Sequence, residues 1–189
     1  MARLLASAES ILASEGYEAL SVRRLAAEAQ VPVGTLYQFF SDKDAVVDAL
    51  ALRYLGEFAE LMAALVEASS EEHWTDLVDR VFDSFVEGYR ARPGYVRLWL
   101  GRFLGPEIRR ADDANNELLA EGLRRILLAQ EDLVDDDRLL QCCRVAVHIG
   151  DAMLQLAFRT DPGGDPAVIE EAKVLQRLYL REVVSRCSS

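Results

Sequence analysis

The apolar residues of this 189-residue chain recur at helical spacing, and no stretch alternates with period two. That pattern admits helices and gives no basis for strands. The expected fold class is therefore all-α. The breaks between helices are legible. Residues 3–14 put Leu4, Ala8, Ile11 and Leu12 on one face, and Gly16 offers a left-handed stop. Ser21 is a good N-cap for a short second helix, which Gln30-Val31-Pro32 breaks. A third short helix is expected from about Val33 to Phe39. Ser41-Asp42-Lys43-Asp44 has capping-box spacing and opens a long helix to about Ala68. Ser69-Ser70, Arg92-Pro93-Gly94, Gly105-Pro106, Asp135 to Asp137 and the loop from Asp161 to Pro166 separate the later helices.

Three short helices within the first 40 residues, followed by longer ones, suggest a small head on a larger helical body. The expected domains are residues 1–43 and 44–189. Half of the residues are apolar, enough for a substantial core. No apolar run is long enough to span a bilayer, so no membrane partner is expected. Cys142, Cys143 and Cys187 make no disulfide framework and read as small apolar helix residues, which fits a reducing cytoplasm.

The opening problem of function is the crowding of Tyr37, Phe39 and Phe40 into four positions. Three rings so close cannot all face one core. Two short helices joined by a tight break, then aromatics, is the layout of a helix-turn-helix, whose second helix enters the major groove of DNA. Val22, Leu25, Ala26, Val31 and Leu36 can hold the two helices at a fixed angle. Gly34 permits close approach to a duplex. Thr35 and Tyr37 offer hydroxyls to phosphate, Gln38 can reach a base edge, and Lys43 can clamp another phosphate. Phe40 turns inward, and Phe39 fits either side. Bulk charge argues the other way. The formal net charge is -11, and residues 1–50 hold four basic and seven acidic side chains. DNA binding must then rest on where the few bases sit.

Residues 11–50 resemble the N-terminal domain of the tetracycline-repressor (TetR) family of bacterial transcriptional regulators. Gly16-Tyr17, Ser21-Val22-Arg23, Leu25-Ala26, Val31, Gly34-Thr35-Leu36-Tyr37, Phe40 and Lys43 carry the likeness. The resemblance implies a homodimer on a double-stranded DNA operator, with a pocket for a small-molecule effector in the body. It implies phosphate contacts by Ser21, Thr35, Tyr37 and Lys43. Arg23, Val33, Gly34 and Gln38 would lie nearest the bases. Gln30 stands where that family usually has Gly, which predicts a strained turn. The chain starts almost on its first helix, without the basic arm of many relatives.

In the body, the pocket candidates are Phe58, Met62, Phe85, Tyr89, Trp99, Phe103, Leu123, His148, Asp151 and Gln155. Tyr89, Trp99 and Phe103 rank first because they flank the irregular stretch from Pro93 to Pro106. Gln141, Arg144, His148, Asp151, Gln155 and Arg159 form one narrow polar stripe. Solvent-facing rim, polar contacts within a dimer, and ligand recognition are its three readings. Leu140, Cys143, Val147, Leu154 and Phe158 make an apolar seam, with Ile169, Ala172, Gln176, Tyr179 and Val183 beside it on the last helix. These are the expected dimer residues, by analogy with four-helix interfaces.

His73 and His148 stand far apart, with no Glu-x-x-His, zinc spacing, phosphate loop or nucleophile elbow. No cofactor, metal site or catalytic residue is expected, and the chain does not read as an enzyme. The alternative is a helical small-molecule carrier or protein-interaction module without DNA binding.

Overall fold

The computed structural model describes residues 1–68, 72–101 and 105–188, and within 43–68 it leaves aside the side chains of Met62, Leu65, Val66 and Ala68. Nine α-helices account for most of these residues: α1 (Ala2–Glu15), α2 (Val22–Glu28), α3 (Val33–Tyr37), α4 (Lys43–Ala68), α5 (Trp74–Arg90), α6 (Pro93–Gly101), α7 (Pro106–Gln130), α8 (Asp137–Thr160) and α9 (Pro166–Cys187). Among the described residues no strand occurs, and no helix is long and apolar enough to cross a membrane.

Local chemistry explains most boundaries. The Arg24 amide donates to Ser21 Oγ at 3.2 Å, so Ser21 caps α2 as expected. The α4 cap sits one residue later than the capping-box reading placed it. Asp42 Oδ1 accepts the Ala45 amide at 2.8 Å, and Ser41 Oγ donates to Asp42 Oδ2 at 2.9 Å. Asp beats Ser here because a full negative charge meets the helix dipole. Asp136 and Asp165 cap α8 and α9, and Pro166 occupies the first turn of α9. Gly16 ends α1 at φ 86°, ψ -179°. This is a glycine-only extended conformation rather than the left-handed helical stop expected.

The chain forms two compact units. The first joins Met1–Glu57 to Tyr89–Asp112; the second joins Phe58–Gly88 to Asp113–Ser189. In the first, Leu4, Ala8, Ile11, Leu12, Leu25, Leu36 and Leu50 are buried, and α6 packs on α1. Val22 and Val31 of the expected head core are only half-buried. In the second, α8 and α9 pair along their length. Lys173 Nζ lies 2.6 Å from Asp83, and Arg177 pairs with Asp79, which ties α9 to α5. Cys142, Cys143 and Cys187 are free thiols, all buried, and burial pushes Cys143 up to about 12.

Candidate nucleic-acid interface

The helix-turn-helix is set by a small interior and one backbone clamp. Leu25, Ala26 and Leu36 are buried between α2 and α3. Between the helices, Gln30 takes φ +53°, the left-handed conformation that disfavours a side chain, so the strain expected at this position is present. The Arg3 guanidinium donates to the carbonyls of Ala29 and Gln30. It thereby caps the C-terminus of α2 and braces the turn.

This frame leaves α3 outward. Val33 is 38% exposed, Tyr37 55% and Phe39 51%, while Phe40 is 4% exposed. Gly34 and Gln38 are exposed, and Thr35 is half-buried. The ring crowding is thus resolved by two rings out and one in. Gly34 is informative because nothing among the described residues calls for it. Its φ is ordinary, and a Cβ built there would meet no described atom within 4 Å. Glycine weakens a helix by roughly 1 kcal/mol against alanine, and no described neighbour offsets that cost at Gly34.

Beside α3, a groove of about 310 Å³ is lined by Ser21, Val22, Arg23, Tyr37, Ser41, Asp42 and Lys43. Ser21, Arg23, Tyr37 and Lys43, half of the expected DNA contacts, meet there. The Lys43 Nζ lies 4.0 Å from the centroid of the Tyr17 ring, a cation–π contact that fixes the ammonium. The Tyr17 hydroxyl donates to Asp44 Oδ1 at 2.5 Å, and that hydrogen bond raises its pKa to about 12. Asp42 brings a carboxylate into the groove, but both its oxygens are turned onto Ala45 and Ser41. Arg24 pairs with Glu15 at 2.5 Å. Arg23 is exposed.

Glu9 plays a part that sequence reading missed. Its Oε1 accepts the Gly94 amide at 2.9 Å, and its Oε2 accepts the Tyr54 hydroxyl at 2.5 Å. One carboxylate of α1 therefore holds the first turn of α6 and the middle of α4. No sequence signal couples residues 85 positions apart.

The whole chain has counterparts of known family. Residues 4–50 match the family model described as bacterial regulatory proteins, tetR family. Residues 72–184 match the model described as tetracyclin repressor-like, C-terminal domain. A TetR-family transcriptional regulator from Streptomyces coelicolor is 34% identical, with 96% of this chain and 98% of that one covered at a TM-score of 0.69. The chain belongs to the TetR family. Membership makes it a DNA-binding transcriptional regulator. The multidrug binding protein EbrR, in complex with malachite green, shares the fold at 24% identity, 94% and 96% coverage and a TM-score of 0.68. PfmR from Thermus thermophilus does so at 23% identity, 95% and 94% coverage and a TM-score of 0.65. No curated protein sequence matches the chain.

In this TetR-family chain the expected pocket residues fall into two sets. Tyr89 and Trp99 belong to the first unit, with ring centroids 5.0 Å apart and Tyr95 at 6.2 and 6.4 Å from them. Phe58 and Phe85 stack at 5.4 Å in the second unit, where Leu123 is half-buried and His148 exposed. There Gln155 donates to Asp151 Oδ2 at 2.9 Å, and burial raises the Asp151 carboxyl above its usual range. Phe103 and the side chain of Met62 lie outside the described residues. The polar stripe does not act as one set, since Arg144 Nε pairs with Glu117 at 2.8 Å instead.

The residues expected at the dimer seam divide by burial. Cys143, Leu154, Phe158, Ile169, Ala172, Gln176 and Val183 are buried within the chain itself, and Leu140, Val147 and Tyr179 are half-buried. Gln176 donates to the Ala146 carbonyl at 3.1 Å, a bond from α9 to α8. These side chains pack α8 on α9 inside one subunit. The outward faces instead carry Val145 and Leu156 on α8 and Val174, Leu175 and Leu178 on α9.

Proposed function

We propose that this TetR-family regulator is a ligand-responsive repressor that binds a near-palindromic operator as a homodimer and is released by a small molecule. The observation that carries the DNA contact is Gly34, exposed on α3 with open space where a Cβ would lie. Ser21, Thr35, Tyr37 and Lys43 take phosphates, which set register; Arg23, Val33, Gly34 and Gln38 face bases, which set sequence choice. Two such helices in a two-fold dimer sit about 34–36 Å apart. The dimer forms through the outward apolar side chains of α8 and α9, with Val145, Leu156, Val174, Leu175 and Leu178 as its core.

Release works through α6. The aromatic group of Tyr89, Tyr95 and Trp99 gives an effector an apolar, partly polar surface to bind. The Glu9 contact to Gly94 passes a shift of α6 to α1. An effector moves this equilibrium only by its differential affinity for the two states.

The test is retention on DNA. The chain should enrich a defined duplex from a random pool, and retention should fall as salt rises. The Tyr37→Ala, Lys43→Ala double variant should lose that retention. Equal, weak retention of both proteins would favour a helical carrier or interaction module instead.

A further inference from the structure

We infer that this regulator reads its operator half-site through the methyl groups of thymine, and that Val33 and Phe39 are the side chains that receive them. The inference rests on the DNA-binding reading of α3 given above. Large apolar side chains that face water are normally scattered singly. Here Val33, Tyr37 and Phe39 stand exposed within seven residues of one another, on the segment assigned to the major groove. Tyr37 has a hydroxyl for phosphate. Val33 and Phe39 have neither donor nor acceptor, so no hydrogen-bond pattern of a base edge is readable by them. The apolar group that base edges present in the major groove is the thymine C5-methyl.

The charge arrangement points the same way. Arg3 is held by the carbonyls of Ala29 and Gln30, Arg24 by Glu15, and Lys43 by the Tyr17 ring. Among the described residues near α3, that leaves Arg23 for bidentate contact to guanine. Gln38, exposed at the end of α3, suits an adenine edge. Gly34, with open space at its Cβ position, lets this surface settle close to the groove floor. Val33 and Phe39 stand six positions apart in the sequence. Val33 opens α3 and Phe39 follows its last residue, Tyr37, by two positions, so the two side chains stand at opposite ends of the recognition segment. The half-site therefore carries a thymine toward each end of a short contacted stretch.

The experiment uses the full chain and a duplex it has enriched from a random pool. Each thymine is replaced in turn by deoxyuridine, which keeps the pairing and removes only the methyl. Affinity should fall about fourfold per contacted methyl, the worth of one buried methylene-sized group. Two positions in each half-site should respond. Phe39→Ala should abolish the response at one position and Val33→Ala at the other; both side chains are exposed, so both variants fold. A duplex indifferent to deoxyuridine overturns the inference and leaves DNA binding standing, as does a response undiminished in both variants. Failure to enrich any duplex rejects the DNA-binding reading and this one with it.

Discussion

Glu9 and Gly94 are fitted to each other. Glu9 Oε1 accepts the Gly94 amide at 2.9 Å, and a Cβ on residue 94 would come within 2.6 Å of that carboxylate. Gly94→Ala must push the Glu9 side chain away and break its bonds to both Gly94 and Tyr54. Two charge-assisted bonds, part-buried, are worth about 3 kcal/mol or more together. Gly94→Ala and Glu9→Ala should each lower stability by about that much in urea denaturation. The double variant should cost little more than either alone, because both remove the same contact. Additive losses would show that the two residues act independently.

Gly34 and Gly56 form a matched pair. Both are helical, both are exposed, and neither would place a Cβ within 4 Å of another described atom. Replacement by alanine should therefore raise stability by about 0.5–1 kcal/mol at each position. Their effects on DNA should differ. Gly34→Ala should weaken operator binding by roughly tenfold or more, about 1.4 kcal/mol, while the melting temperature rises. Gly56→Ala should leave binding unchanged. Equal affinities for the two variants would remove Gly34 from the interface.

At Gln30 a side chain sits at φ +53°. Gln30→Gly relieves a cost of about 1 kcal/mol, partly offset by greater freedom in the unfolded chain. The expected gain is about 0.5 kcal/mol by thermal or chemical denaturation. Arg3→Ala should act oppositely, because the carbonyls of Ala29 and Gln30 lose their donor.

Burial raises the Asp151 carboxyl above its unfolded range, against the Gln155 hydrogen bond that lowers it. A carboxyl raised on folding adds stability below its unfolded pKa, and that contribution is lost as pH rises through the folded value. At neutral pH the buried charge is a net cost. Asp151→Asn should stabilise the protein there by about 1 kcal/mol, and the advantage should shrink as pH falls and the native side chain takes up its proton. A gain that does not change with pH would place its origin elsewhere.

The sequence revealed what short-range chemistry controls. Ser21, Asp165-Pro166 and Pro93 mark helix ends because a cap or a missing amide acts within one turn. Crowding showed that some rings must face outward, and the helix-turn-helix layout then placed Tyr37 out and Phe40 in, as found. Faces of doubly buried helices were not legible. On α8 the residues Cys143 and Val145 are both apolar, yet one is buried and the other outward. Periodicity finds two apolar stripes there without saying which one meets α9. The placement of the α4 cap turned on the competition between adjacent oxygens of Ser41 and Asp42. Nothing in the sequence signals the role of Glu9, because its partners, Tyr54 and Gly94, are brought to it only by the fold.

The inward filling of α8 and α9 has a bearing on how the protein is made. A newly synthesised subunit closes its own hydrophobic interior with Cys143, Phe158, Ile169 and Val183 and waits for no second chain to do so. Closure of that interior is then a first-order event, and association with a second copy, as proposed above, would be a separate bimolecular step. By mass action, any pairing of the folded subunit would add to its stability as abundance rises.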